Sequence, residues 1–395
     1  MPRGGAGAKK FTVSYGGWYQ RTTLHLSEIF EFFSAGTSRL PLEAKKLKNL
    51  QKRLQLVSVE KELGFLEVVS AKTSSGIEIR YYEDGLYVLE LEASDVAQAE
   101  EALREYFEER LSPGIAYIFS LGAPTPKVLA NLKTEHPVVV TVVTEDPGHM
   151  VVPKSLGEVY QKIEADDAVV FKTDSHILIA VSQMDREFAR QMVDAQIFFR
   201  EFKDQLGKYL VIHRTIWEEI AEIKERRRIG LKEANNLRSK LDRYRVTIDL
   251  ITNRINQMGT YVRTRHSIIA RTGLEPYLTT LFEYRFEALL DTLEYVKEIW
   301  KMTSDYLVSA LAVMADVINQ GVNSSIKNLT TLTIFGILVT LIKFTWEVQD
   351  ISKVTSLSAG LVGLLLLVAL VVDRAIKYFA ERQKYQLKFK DAEKF

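Results

Sequence analysis

Asn323, Ile326, Thr330, Thr333, Ile337 and Thr340 fall on one face of a helix drawn at ~100° per residue. Four of these six side chains end in a hydroxyl or a carboxamide. Such oxygens, ranged along an axis, can replace part of the water shell of a cation moving past them. A plainer use is also open. A threonine hydroxyl can bond back to the preceding turn of its own helix, or help one helix pack on another. Lipid cannot hydrogen-bond a hydroxyl, so a polar stripe in an apolar segment is expected to face protein or water.

The segment that carries the stripe is one of two apolar stretches, about 329–346 and 354–372. A membrane span needs about 20 mostly apolar residues, because the hydrocarbon core is ~30 Å thick. The second stretch has no charged residue. The first is interrupted by Lys343, which lies near enough to its end to extend its ammonium to the interface, beside Trp346. The pair predicts a transmembrane hairpin. Glu347, Asp350 and Lys353 lie between the stretches, whereas Arg374, Lys377, Arg382, Lys384, Lys388, Lys390 and Lys394 follow them. The excess of Lys and Arg puts both termini on the cytoplasmic side of the cell membrane. Residues Met1–Lys10 have no apolar run behind them, which predicts no signal peptide.

Composition narrows the chemistry. Lys+Arg 52 and Asp+Glu 51 nearly cancel, so charge gives no reason to expect nucleic acid as a partner. Cysteine is absent, which excludes disulfides, thiolate metal sites and a cysteine nucleophile. The six histidines are scattered without a His-Glu-x-x-His spacing. Gly4, Gly5, Gly7 and Lys9 lack the Gly-Lys-Ser/Thr ending of a phosphate loop, and no strand precedes them. Asp146 and His149 suit a surface turn. Lys224, Arg226, Arg227 and Arg228 suit a solvated helix end, and Trp217 a packing role. No enzyme and no bound cofactor are expected.

The elements predict an α+β fold in five parts: a disordered 1–10, a mixed α/β domain over 11–183, a long helical or coiled-coil stalk over 184–328, two membrane helices over 329–372, and a basic tail over 373–395. Strands are expected at Leu54–Val59, Leu66–Ala71, Ile77–Tyr82, Tyr87–Leu91, Ala116–Phe119, Val138–Val143, Ala168–Phe171 and Ile177–Val181. Helices are expected at Leu26–Ser34, Ala93–Arg110, Pro126–Lys133, Asp185–Arg228 and Leu231–Ala270. In the last of these, Leu237, Leu241, Tyr244, Ile248, Ile251, Ile255, Met258 and Val262 follow alternating steps of four and three, a heptad seam. A third long helix begins after Pro276, with Phe282, Phe286, Leu289, Leu293, Val296, Trp300, Leu307, Met314, Val317 and Gly321 on its seam. The polar stripe is expected to continue that seam toward one shared axis.

The run Asn323, Ser324, Ser325, Ile326, Lys327, Asn328, Leu329, Thr330 resembles the opening of the pore helix in CorA-type magnesium channels. The order of parts is similar too: soluble α/β domain, stalk helix, pore helix, short outer loop, second span, basic tail. The motif covers about eight residues, the plan the whole chain. The resemblance implies a homopentamer that conducts divalent cations passively, magnesium among them. Its pore would be lined by Asn323, Ile326, Leu329, Thr330, Thr333, Ile337 and Thr340, with Ile326 and Leu329 as an apolar gate worked by the stalk. At the outer mouth the family carries Gly-Met-Asn. Glu347, Val348 and Gln349 stand there instead, so altered selectivity is expected. Gln349 still offers an amide oxygen, and rings of Glu347 and Asp350 would concentrate cations. Lys343, were it to face the axis, would oppose them. Asp166 and Asp167 are candidates for a divalent-ion sensor between subunits, because relatives use acidic pairs there. The expected partners are other copies of the chain, the bilayer and metal cations. The alternative left open is a non-conducting, membrane-anchored coiled-coil scaffold or regulatory protein.

Overall fold

The computed structural model describes residues 10–19, 26–64, 66–121, 136–182, 186–226 and 228–347, with 371, 374, 378 and 384–386. The chain is mixed α and β, with one large sheet and long helices. It divides into two compact units. One comprises Met1–Ile212 and Leu250–Glu298, and the other His213–Asp249 and Ile299–Phe395. The long helices pass from one unit into the other.

Nine strands build the sheet of the first unit: β1 Phe11–Trp18, β2 Leu56–Glu62, β3 Val68–Thr73, β4 Glu78–Tyr82, β5 Leu86–Ala93, β6 Val138–Val143, β7 Val159–Ala165, β8 Ala168–Thr173 and β9 Ile177–Val181. Their order is β2-β3-β4-β5-β1-β6-β9-β8-β7. Every pairing is antiparallel except β6 with β9. Alternation along the strands sorts the two faces. Val13, Tyr15, Ile79, Leu89 and Val140 point into an apolar core. Four helices supply its other side: α1 Leu26–Ala35, α2 Ala44–Leu54, α3 Val96–Tyr106 and α4 Ser112–Ile118.

On the opposite face, where α5, Arg186–Glu225, packs, a polar network lies among buried apolar residues. Arg80 on β4 reaches Glu90 on β5 with two contacts, at 2.5 and 3.0 Å, and Asp194 on α5 at 2.7 Å. Ser14 donates to Glu90 at 3.2 Å, and Tyr82 donates to Asp194. All of Ser14, Arg80, Glu90 and Asp194 are buried. Burial alone would lift the Glu90 carboxyl, but Arg80, with help from Arg190 and Ser14, holds it below its usual range. A second buried pair joins Arg265 of α6, Leu231–Thr272, to Asp84 at the β4–β5 turn, with Nε–Oδ2 2.5 Å. Its guanidinium lies 4.9 Å from the ring centres of both Tyr82 and Phe198. These two ion pairs fix the long helices onto the sheet.

Several expectations need correction. Ala116–Phe119 is helical, because it closes a winding run that begins at Val96. A short apolar run gives no periodicity with which to tell strand from helix. The strands β1 and β7 and the helix α2 add to the expected elements. In β7 the exposed Val159 and Tyr160 hide the inward–outward pattern of an edge strand. Pro126–Lys133 lies outside the described residues. The third long helix is divided: α7 Glu275–Phe282 ends at Glu283, whose φ of 58° is left-handed, and α8 runs from Phe286 to Glu347.

The heptad seams hold. On α6 every seam residue but Tyr244 is buried, and Tyr244 is half-buried with its hydroxyl on Glu219. On α8, Trp300, Leu307, Met314 and Val317 are at most 1% exposed. In the second unit a side chain at Gly321 would come within 2.6 Å of Leu231, so glycine is what lets the start of α6 approach α8. Beside that point β10, Arg228–Gly230, pairs antiparallel with β11, Lys384–Gln386. Ile229 and Tyr385 of this ladder are buried. Among the described residues no helix is long and apolar enough to cross a membrane. The second apolar stretch lies outside them, apart from Val371.

Candidate functional site

The polar stripe does not continue the seam of α8. It lies across the helix from it. Met314 to Asn323, Val317 to Ile326 and Gly321 to Thr330 are each nine residues apart, which at ~100° per residue is ~180°. The seam packs inside the chain, and the stripe is left outside. Ile326, Leu329 and Ile337 are 55%, 62% and 56% exposed, and Asn323, Thr330, Thr333 and Thr340 are exposed as well.

That placement extends the stripe upstream of Asn323. Stepping back from Asn323 by fours and threes gives Asn319, Asp316, Ala312, Ser309, Asp305 and Met302, all exposed. From Met302 to Thr340 the register holds no lysine or arginine, and its only charges are the two carboxylates. Lys301 and Lys327 fall beside the line. The signal was available: the stripe sits two residues off the buried register, and two residues on a helix span ~200°.

The threonine hydroxyls are engaged within their own helix. Thr330 donates to the carbonyl of Ile326 at 3.0 Å, Thr333 to Leu329 at 2.9 Å, and Thr340 to Gly336 at 2.8 Å. The donor is thus occupied, while the oxygen keeps acceptor capacity for an ion or its water. A row of such oxygens suits a cation and not an anion. Equally, no hydroxyl needs a partner from another helix.

The candidate mouth lies mostly outside the described residues. Glu347 ends α8, and Gln349 and Asp350 are beyond it. Asp166 and Asp167 form the tip of the β7–β8 hairpin, both exposed, and Asp167 accepts from the Ser182 hydroxyl at 3.4 Å. Among the described residues no third ligand joins them. The set that does converge is His266, Glu275 and Glu287, with ligand atoms all within 4.8 Å of one another. His266 Nε2 is 3.2 Å from Glu275 Oε1, and its ring stacks on Phe286. One imidazole and two carboxylates could hold a divalent ion. Three helices contribute one ligand each, so no spacing in the sequence announces the group.

The remaining polar groups follow the plain readings. His149 and Asp146 close an exposed turn at 2.8 Å. Arg226 pairs with Glu222 and Glu233, Lys224 lies over the Tyr306 ring, and Arg228 enters β10. Trp217 stacks on Tyr306. His213 lies between Trp217 and Trp300, where burial first and Arg214 second lower its pKa. The glycines of the N-terminal stretch lie outside the described residues.

Compared with protein-family models and with characterised proteins, the chain matches none.

Proposed function

We propose that the chain is one subunit of an oligomeric cation channel of CorA-like plan in the cell membrane, and that the α8 stripe lines its axis. The observation that carries this reading is the exposed register from Met302 to Thr340, free of basic residues and opposite the face that packs at home. A helix with one face satisfied within the chain and an oxygen-rich face left outside is what a ring of identical subunits around a water-filled axis requires. In such a ring Asp305 and Asp316 attract cations, Asn323 and the threonines replace part of their water, and Ile326 with Leu329 forms a constriction that closes by dewetting. Homopentameric assembly, divalent selectivity and gating by the long helices belong to the same proposal.

The β10–β11 ladder supports the hairpin part of it. From Gly321 to Glu347 is 26 residues, ~39 Å of helix, close to the ~40–45 Å of a bilayer with its headgroups. Tyr385 pairs with Ile229, beside the point where Leu231 meets Gly321 on α8. Both ends of the excursion then lie on one side, the cytoplasmic side by the distribution of Lys and Arg.

The back-bonded threonines favour a second reading, a non-conducting anchor. Their hydroxyls are already satisfied and tolerate lipid or a neighbouring helix. The chain has no cysteine, so one introduced thiol is unique in each subunit. Purified Thr333→Cys protein in liposomes, assayed for magnesium, cobalt, nickel, zinc, sodium and potassium flux, separates the two. A channel conducts a cation, and a water-soluble thiol reagent stops it. An anchor gives no flux above empty vesicles, and that result ends the channel reading.

A further inference from the structure

We propose that the first unit holds a binding site for a nucleotide, in the cavity between α5, the β8–β9 hairpin end and the α7–α8 turn. The proposal stands apart from the channel reading and uses none of its residues. The cavity, partly open to solvent, measures about 530 Å³, the size that drug- and cofactor-sized ligands occupy.

Its charge is one-sided. Lys172, Arg200, Lys203 and Arg285 line it, against the single carboxylate of Glu283. None of these four cations has an ion-pair partner among the described residues. Arg200, Lys203 and Arg285 are exposed and Lys172 is half-buried, and cations along one cavity wall without counter-charges repel one another. An oligophosphate relieves that repulsion, because arginine meets phosphate oxygens through two parallel hydrogen bonds.

The rest of the wall asks for a ring. Phe199 and Tyr284 stack face to face at 4.3 Å and 9°, and Leu206 and Leu289 continue the apolar surface. Burial, partly countered by Arg200, pushes the Tyr284 hydroxyl up to about 12, so it is a neutral phenol at physiological pH. A flat aromatic base matches such a surface.

One buried atom points to the ligand independently. Gln196 lines the cavity, is 1% exposed, and its Oε1 has no hydrogen-bond partner. Its other end engages Tyr284. A buried amide oxygen without a donor is costly and uncommon. The exocyclic amine of a purine supplies the missing donor. Inorganic phosphate would satisfy the cations but leave the aromatic wall and this oxygen unmet. A fatty acid would satisfy the wall but leave most of the cations unpaired.

The test is titration calorimetry on the full chain in detergent, with EDTA present, using ATP, ADP, AMP, inorganic tripolyphosphate and inorganic phosphate. The expected result is one ATP per chain, with affinity falling from ATP to ADP to AMP and with tripolyphosphate at least tenfold weaker than ATP. Arg200→Ala combined with Lys203→Ala weakens ATP tenfold or more. Both side chains are exposed, so thermal unfolding of this variant stays at the wild-type temperature. Gln196→Met brings ATP down toward tripolyphosphate. Absence of ATP binding, equal affinity for ATP and tripolyphosphate, or an unchanged affinity in the Arg200/Lys203 variant overturns the proposal.

Discussion

Asp316 gives the channel reading a quantitative test. It is exposed on the stripe, seven residues before Asn323, and one of the only two charges in that register. Seven residues of helix rise ~10 Å. A divalent cation at the level of Asn323 then feels ~0.8 kcal/mol from one carboxylate at the dielectric of water, and ~4 kcal/mol from a ring of about five. At physiological salt the ~8 Å screening length leaves somewhat under a third of this, ~1.2 kcal/mol, or roughly sevenfold in local ion concentration. At ~0.01 M salt, where screening extends to ~30 Å, the remainder is ~3 kcal/mol and on the order of a hundredfold. Asp316→Asn keeps the shape and removes the charge. Subsaturating divalent flux into liposomes is therefore expected to fall several-fold at physiological salt, and much further at low salt. The salt dependence is the decisive part. A loss of under twofold that does not grow on dilution of the salt refutes the placement of this face on the axis.

Other expectations concern the scaffold. Asp194→Asn leaves Arg80 buried with half its carboxylate partners, and should lower the stability of the first unit by about 3–5 kcal/mol, measured by urea unfolding. A loss under about 1 kcal/mol would mean that Glu90 alone satisfies the arginine. The depressed Glu90 pKa has a defined sign: the folded state binds this proton more weakly, so its stabilisation is present above the unfolded pKa and drains away as the pH falls below ~5. Glu90→Gln should flatten that part of the acid unfolding curve, and an unchanged acid slope would locate the sensitivity elsewhere. Gly321→Val forces a side chain against Leu231 and should cost the second unit about 1–3 kcal/mol by thermal unfolding. No cost would show that Leu231 simply turns aside.

Much of the fold could be read from residues, where the pattern was long. The seams of α6 and α8 were legible because each heptad position is checked by the next, and burial follows them from Leu237 to Val262 and from Phe286 to Gly321. Shorter patterns failed. Ala116–Phe119 is too brief to show a period, and α2 shows only Leu47, Leu50 and Leu54 among charged neighbours. The candidate face was half legible. Asn323 to Thr340 is legible as a stripe, but its place relative to the seam is not: the two residues from Gly321 to Asn323 turn the helix by ~200°, off the packed register. Asp305 and Asp316 join it only once the burial of the seam singles out that register. The His266, Glu275 and Glu287 group, and the cations around Gln196, are products of tertiary folding. Their members are separated by turns of no fixed length, so no spacing rule reaches them.

The small ladder at Ile229 and Tyr385 has a consequence for biosynthesis. Its second strand is made 154 residues after its first, counting from Gly230 to Lys384. While the ribosome works through that interval, the first strand's backbone groups wait unpaired, and both oily stretches must emerge before closure is possible. So distant a pairing forms late, because the loop entropy is lost before any contact repays it. The ladder therefore closes only once residues 384–386 have been made, and a chain that stalls before them is left with an open edge for quality control to find.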